Sequence, residues 1–365
     1  MSGPSRPILP VILCGGAGTR LWPVSTEAAP KPFHALLSDE SLFQATVKRV
    51  AGAEGGEFLP PVIVCGRIHR ALAEAQLAAM GTAASLLVLE PCGRGTAPIA
   101  AIAGALAAER WPDALVLMLS ADHMIADAAE FRRTVRRGAA IAEDWIVTLG
   151  IAPSRPEIAY GYIKRGAALG DGLYAVDRFV EKPDLAKARD FVASGDHSWN
   201  AGVFLFSPGL MLAELRTARP DIAEAAIAAL PARGGGGLIE LDEARFHACP
   251  AESIDRAVME RTTHAAVAIS AFDWADVGAW DEVWRLSGRD AAQNAVRGDV
   301  DLAATSGSLV WSDGPSIAAI GVADLVIVAT GKAVLVVPRA RAQEVRAAVE
   351  RLAGRRPDGG RPGRA

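Results

Sequence analysis

The sequence predicts an α/β fold, with a large domain of alternating strands and helices followed by a small β-rich domain. Three observations predict it. Short, uninterrupted apolar runs recur through the first half of the chain, beginning with Ile8 to Leu13. Alanine-rich helical stretches lie between several of them, and after Trp284 the helical patterns give way to short strand-like runs. Continuous apolar runs are strands buried on both faces, and strands alternating with helices build a sheet covered on both sides.

Taken in order, Ile8 to Leu13 reads as a buried parallel strand that ends in a glycine loop. Pro61 to Cys65, Leu86 to Leu89, Ala114 to Leu119 and Trp145 to Leu149 read as further strands, with helices over Ala71 to Met80 and Pro98 to Arg110. Thr96 before Ala97-Pro98 reads as a helix N-cap, and Ser207-Pro208 repeats the device. Leu173 to Val180 is strand-like and turns at Lys182-Pro183; a charged helix and the strand Val203 to Phe206 follow. This middle region reads as a lid or substrate half inserted into the sheet domain. Gly234 to Gly237 reads as a flexible loop. Val300 to Leu302, Leu309 to Trp311, Leu325 to Val328 and Ala333 to Val337 are the late strands, the last two joined at Thr330-Gly331-Lys332, and a helix from about Ala342 to Leu352 closes the fold. The domains expected are 1–287, 288–353 and a disordered tail, 354–365.

Composition narrows the function. Among 365 residues, 51% are hydrophobic and 22% charged, which excludes an intrinsically disordered chain. The balance of 38 Lys+Arg against 42 Asp+Glu, a net charge of -4, leaves no electrostatic footprint for nucleic acid or an anionic membrane. Cys14, Cys65, Cys92 and Cys249 form no C-x-x-C pair, so a reducing compartment is expected rather than a disulfide scaffold or a zinc site. The longest apolar stretch, Val322 to Val337, is broken by Asp324, Gly331 and Lys332, short of the roughly 20 residues a membrane helix needs. The first apolar run is too short for a secretory h-region, so a cytoplasmic location is expected.

Gly15, Gly16 and Gly18, followed by Thr19 and Arg20, stand directly after the first strand, where glycines let backbone N–H groups close on phosphate oxygens. Two familiar phosphate motifs fail here. A dinucleotide fingerprint starting at Gly16 requires a glycine where Leu21 stands, and a P-loop requires Gly-Lys-Ser/Thr where this chain has Gly18-Thr19-Arg20. What remains is a glycine loop ending in Arg20, with Lys31 held between Pro30 and Pro32. A forked guanidinium plus a point-charge ammonium suits a polyphosphate.

The run Gly15-Gly16-Ala17-Gly18-Thr19-Arg20-Leu21-Trp22-Pro23, with Pro30-Lys31-Pro32-Phe33, resembles the signature of the sugar-1-phosphate nucleotidyltransferases. Leu21-Trp22-Pro23 is similar to the mannose-1-phosphate guanylyltransferases among them. Five further motifs occur in the family's order: Glu90 to Pro98, Ser120-Ala121-Asp122-His123, Phe179 to Pro183, Trp199 to Phe204, and Asp276 to Trp280. The chain departs from the family's usual residues at Cys14 (alanine), Pro32 (glutamine), Gly95 (asparagine) and Ala201 (serine), and one activity is expected, without the isomerase domain of longer members. The resemblance implies a Rossmann-like mixed-sheet nucleotidyltransferase domain with a β-rich C-terminal domain.

It also implies a reaction: an oxygen of mannose 1-phosphate attacks the α-phosphorus of GTP and pyrophosphate leaves, with Mg²⁺ held by carboxylates. The residues then expected in catalysis are Arg20, Lys31, Asp122 and Asp276, the two aspartates being the metal ligands. Gly15, Gly16, Gly18, Thr19, Arg20, Gly93, Arg94 and Thr96 are expected on the nucleotide, and Gly161, Glu181, Lys182 and Asn200 on the sugar phosphate. His123 reads as a shaping residue, the other histidines as structural, and Trp280 and Trp284 as core. Uridylyl, thymidylyl or adenylyl transfer to glucose 1-phosphate, or a silent nucleotide-sugar sensor, are the alternatives. A homo-oligomer is left open.

Overall fold

In the computed structural model, residues 6–16, 18–51, 57–232 and 236–353 are described. The expected glycine-run loop therefore lies partly, and the tail 354–365 wholly, outside the described residues. The chain divides into two compact units. One takes Met1–Gly15 and Leu42–Asp276, the other Gly16–Ser41 and Val277–Ala365.

The first unit is a sheet covered by helices. Its strands are β1 (Ile8–Leu13), β2 (Val62–Gly66), β3 (Leu86–Glu90), β4 (Leu115–Ser120), β5 (Met124–Ile125), β6 (Ile146–Ile151), β7 (Tyr162–Gly170), β8 (Leu173–Val180), β9 (His197–Phe206), β10 (Leu238–Glu240), β11 (Ala265–Ser270) and β12 (Trp274–Ala275). Ten of them form one sheet in the order β10-β3-β2-β1-β4-β9-β6-β11-β8-β7, while β12 pairs with β5 in a separate ribbon. β10, β3, β2, β1 and β4 run parallel, and β9 enters antiparallel to both β4 and β6, so the sheet is mixed. The strands expected between Ile8 and Leu149 all form, each within two residues of its expected ends.

The helices are α1 (Leu42–Val50), α2 (Arg70–Ala79), α3 (Thr96–Arg110), α4 (Ala128–Ala139), α5 (Leu185–Ser194), α6 (Pro208–Ala218), α7 (Pro220–Ala228) and α8 (Glu243–Ala248). α3 is apolar nearly all round, because it lies between the sheet and α6 and α7. Its alanines and Gly104 allow that approach; a Cβ at Gly104 would stand 3.1 Å from Leu212 Cγ.

Two expectations are corrected in this unit. The middle region is not an inserted half, since β7, β8 and β9 are strands of the main sheet itself. Alternation alone cannot tell an inserted hairpin from added edge strands. Ser207 caps α6, accepting from the Leu210 N–H, but Thr96 is not the cap of α3. Gly95 takes that place at φ 80°, and the Thr96 hydroxyl instead accepts from the Ile254 N–H at 2.8 Å.

The second unit contains 3-10 turns at Thr19–Leu21 and Lys31–Phe33, then α9 (Trp280–Leu286), strands β13 (Ala295–Arg297), β14 (Val300–Ala303), β15 (Leu309–Asp313), β16 (Ile317–Ile320), β17 (Leu325–Thr330) and β18 (Val334–Pro338), a 3-10 segment Arg339–Glu344, and α10 (Val345–Ala353). β13, β15 and β17 stack in parallel, as do β14 and β16, and β18 turns back antiparallel on β17. β13 and β16 are additions to the strands expected from sequence, being only three and four residues long. Asp301 lies within β14, the strand expected from Val300 to Leu302. Trp280 is fully buried against Trp311 as expected for core. Trp284 is only half-buried and carries the Arg339 and Arg289 guanidinium groups at 3.5 and 4.6 Å from its ring centre. Its aromatic face thus serves cation–π contacts rather than an apolar core.

Candidate active site

Asp122 and Asp276 stand far apart in sequence, and a two-stranded ribbon brings them together. β5 pairs antiparallel with β12, Met124 opposite Ala275, which leaves His123 and Asp276 as the adjoining residues of the two strands. Asp122 precedes His123 at the carboxyl end of β4, anchored by the Ala121 N–H donating to the Leu13 carbonyl at 2.9 Å. One ligand atom each from Asp122, His123 and Asp276 lies within 4.8 Å of the others. His123 Nε2 is 3.8 Å from Asp122 Oδ1 and 3.9 Å from Asp276 Oδ1, and the Ser120 hydroxyl donates to Asp122 Oδ1.

Two carboxylates on one point repel unless a cation lies between them, and hard oxygen donors suit a divalent cation that takes oxygen ligands. The donor set therefore fits such an ion through the aspartates. The imidazole is the least suited of the three donors, in keeping with the shaping role expected for it. Its ring stacks edge-on against Trp274, 5.3 Å between centres, which limits its rotation.

Beside this cluster is a cavity of about 170 Å³ lined by Tyr160, Gly161, Glu181, Asn200, Asp255 and Asp276, among others. Gly161, Glu181 and Asn200 are thus brought together as expected. Gly161 also makes room inside the site. Its carbonyl accepts the Asn200 backbone N–H at 2.9 Å, and a Cβ there would come within 2.8 Å of Glu181 Oε2. The glycine makes room for the glutamate, which its neighbour's motif alone did not reveal.

Lys182 does not line the cavity among the described residues. It is more than half exposed, its ammonium rests on Glu181 Oε1, and its backbone is left-handed at φ 49°. A lysine held at positive φ is strained, and the following Pro183 narrows its choices further.

Asn200 lies inside β9, not in a turn. The β6–β9 pairing jumps from Thr148–Phe204 to Gly150–Asn200, so β9 carries extra residues there, and Gly202 turns left-handed at φ 65°. A bulge of this kind re-aims the side chains around it.

Asp255 is the residue that sequence reading missed. It opens a single π-helical turn, Asp255–Met259, and accepts from Asn200 Nδ2 at 2.8 Å. Burial, reinforced by the neighbouring Glu181 carboxylate, pushes its carboxyl up to about 6. No motif surrounds it in Ser253-Ile254-Asp255-Arg256, and only the folded chain sets it against Asn200.

The loop Gly93 to Thr96 is pinned to the segment Glu252 to Ile254. Ala97 N–H donates to the Glu252 carbonyl at 3.1 Å, and Glu252 N–H to the Arg94 carbonyl at 3.1 Å. At Gly95 a Cβ would stand 2.4 Å from the Glu252 oxygen. The glycine that departs from the family pattern therefore permits a backbone approach, and backbone bonds order the loop in place of an asparagine side chain. The Arg94 guanidinium is engaged with His247, 3.2 Å from Nδ1. At the end of β3, burial raises the Glu90 carboxyl to about 7.

The remaining expected residues, Gly16, Gly18, Thr19, Arg20 and Lys31, belong to the second unit; Gly15 ends the first. Gly16 and Gly18 have φ of 94° and 53°, and a Cβ at Gly18 would lie 2.6 Å from Lys31 Cβ, so this turn requires glycine. Lys31 is buried in the turn Lys31–Phe33. Leu21, where a dinucleotide fingerprint requires glycine, is fully buried.

Known proteins resemble this chain in sequence and fold. A family model described as nucleotidyl transferase matches residues 9–293, and one described as MannoseP isomerase/GMP-like beta-helix domain matches residues 298–352. A protein of Escherichia coli named mannose-1-phosphate guanylyltransferase is 43% identical over 350 residues, 94% of this chain and 74% of that protein. The xanthan biosynthesis protein XanB of Xanthomonas campestris is 43% identical over 349 residues, 94% of this chain and 73% of its own length. A crystal structure described as mannose-1-phosphate geranyltransferase from Thermus thermophilus superposes with a TM-score of 0.83 at 34% identity, covering 95% of this chain and 99% of that one. The mixed sheet and the parallel C-terminal ladder agree with these matches: this chain belongs to the nucleotidyl transferase family.

Proposed function

We propose that this chain acts as a mannose-1-phosphate guanylyltransferase, converting GTP and α-D-mannose 1-phosphate to GDP-mannose and pyrophosphate. The observation that carries the reading is the 43% identity to proteins of that name along 94% of the chain. We infer the domain division 1–287 and 288–353, and a cytoplasmic location; among the described residues no helix is long and apolar enough to cross a membrane.

In this reading a phosphate oxygen of the sugar attacks the α-phosphorus, the bond to the β-phosphate oxygen breaks, and pyrophosphate leaves with its electron pair. The nucleophile is already an anion, so no side chain has to remove a proton; positioning and charge neutralisation carry the rate. Asp122 and Asp276 would hold Mg²⁺, which when bound neutralises charge on the phosphates. Arg20 and Lys31 supply further positive charge to the triphosphate. Gly15, Gly16, Gly18, Thr19, Gly93, Arg94 and Thr96 line the nucleotide, and Glu181, Lys182, Asn200 and Gly161 form the sugar-phosphate end. Glu181 accepts from sugar hydroxyls, while Lys182 serves the phosphate.

The test is pyrophosphate release from the purified chain with GTP, UTP, dTTP and ATP, each paired with mannose 1-phosphate and glucose 1-phosphate. Release confined to GTP with mannose 1-phosphate is expected. A site built to hydrogen-bond one base leaves buried polar groups unpaired with another, so the preference should be sharp. Turnover with UTP or dTTP and none with GTP overturns the reading.

A further inference from the structure

An asparagine side chain offers a ligand both a donor and an acceptor, and on sequence Asn200 offers both to a sugar. In the fold the acceptor is already used. Asn200 Oδ1 receives the Gly202 backbone N–H at 3.1 Å and the Thr148 hydroxyl at 2.7 Å, a hydroxyl that also lies 3.0 Å from the Val203 carbonyl. Nδ2 donates to Asp255 Oδ1 at 2.8 Å. These partners fix which way round the amide lies, because a flip would set Nδ2 against the Gly202 N–H and Oδ1 against a carboxylate. One N–H of Asn200 is then left for a ligand.

The surroundings favour a rigid arrangement. Thr148 is fully buried, Asn200 is 8% exposed, and both Asn200 and Asp255 line the cavity that holds Glu181 and Gly161. Resting on the reading that this cavity receives the sugar, we propose that Asp255 is a positioning residue: it locks the Asn200 amide as a donor only, so that this position recognises a sugar hydroxyl through its oxygen. The Glu181 carboxylate, by contrast, can only accept when ionised. The cavity therefore imposes a direction on the ligand's hydroxyl groups, one giving its hydrogen to Glu181 and one receiving the Asn200 N–H. A hydroxyl that already receives a hydrogen bond is polarised to donate its own more strongly.

Steady-state kinetics on the full chain test this, each substrate varied in turn, for Asp255→Ala, Asp255→Asn, Thr148→Val, Asn200→Ala and the double variant Asp255→Ala/Asn200→Ala. The sugar 1-phosphate used is whichever one the unmodified chain turns over, so failure of the mannose reading is separable from failure of this one. Asp255→Ala should raise KM for the sugar 1-phosphate about tenfold, the size expected for one well-formed hydrogen bond, and leave KM for the nucleotide within about twofold. Asp255→Asn keeps an oxygen facing Nδ2 and should recover KM to within about threefold of the unmodified chain. The double variant should be no worse than Asn200→Ala, because residues acting through one another are non-additive.

A double variant whose defects multiply, or Asp255→Asn as impaired as Asp255→Ala, overturns the proposal. So does an unchanged sugar-phosphate KM in a folded Asp255→Ala. Should Asp255→Ala not fold, the near-isosteric Thr148→Val decides. It removes the hydroxyl from Oδ1 and should raise the sugar-phosphate KM severalfold, and an unchanged value there overturns the lock equally.

Discussion

Arg20 donates to the side-chain oxygen of Gln343 at 3.0 Å across 323 residues of sequence. Both belong to the second unit, where the turn Thr19–Leu21 rests on α10 and on the segment Arg339–Glu344, and where Trp280 Nε1 donates to the Trp22 carbonyl at 2.9 Å. The glycine loop is thus built together with the C-terminal region. That region supplies no reacting group in our reading, yet it holds the loop that carries one.

Removing the guanidinium in Arg20→Ala should lower kcat/KM for the nucleotide at least about a hundredfold, the usual scale for a lost charge-stabilising group. Gln343→Ala removes only an exposed neutral contact and should cost no more than about fivefold, consistent with about 1 kcal/mol. A lost transition-state contact lowers kcat itself, so the Arg20→Ala defect should appear whichever substrate is varied, and an unchanged kcat would show that Arg20 only binds the nucleotide.

Asp122→Asn and Asp276→Asn each keep side-chain volume and remove one of two converging charges. Each should retain the melting temperature within a few degrees and lose turnover by about a hundredfold or more at any Mg²⁺ concentration. Near-normal turnover in a folded Asp276→Asn would leave Asp122 as the sole protein ligand.

Glu90 links stability to pH. Burial raises its carboxyl from the ordinary 4.5 to about 7, so between those values the folded chain binds a proton that the unfolded chain has released. Its contribution is full below about pH 4.5, falls as pH rises, and is lost above about 7. Glu90→Gln, neutral throughout, should melt higher than the unmodified chain at pH 8 and equally at pH 4.5, with a gain of no more than about 3 kcal/mol. Equal melting temperatures at pH 8 would show that the Glu90 carboxylate is solvated.

Gly95→Asn puts a side chain at a position where φ is 80° and a Cβ would meet the Glu252 carbonyl at 2.4 Å. It should destabilise by about 1–3 kcal/mol, read as a lower melting temperature. A neutral effect would mean that the 252–254 segment yields readily.

The sequence made the parallel strands legible because buried strands must be apolar throughout, and made Asp122, Asp276, Glu181 and Asn200 legible because they sit in motifs. It left Asp255 hidden, since a lone aspartate has no period and no neighbouring glycine to mark it. The direction of the Asn200 amide was equally out of reach: it depends on Thr148, Gly202 and Asp255, of which only Gly202 is close in sequence. Thr96 misled because a threonine before alanine and proline has the chemistry of a cap, while the backbone approach of Glu252 decides the matter.

The ladder of β13, β15 and β17 has a bearing on how this chain can vary. Within the ladder each strand pairs only with the strands beside it, so the ladder's own stability is close to a sum over nearest neighbours. An open parallel stack would also invite further strands at its exposed end. β18, turned antiparallel on β17, ends the repeat by breaking its symmetry, and the length of the ladder is set by where that single reversal falls.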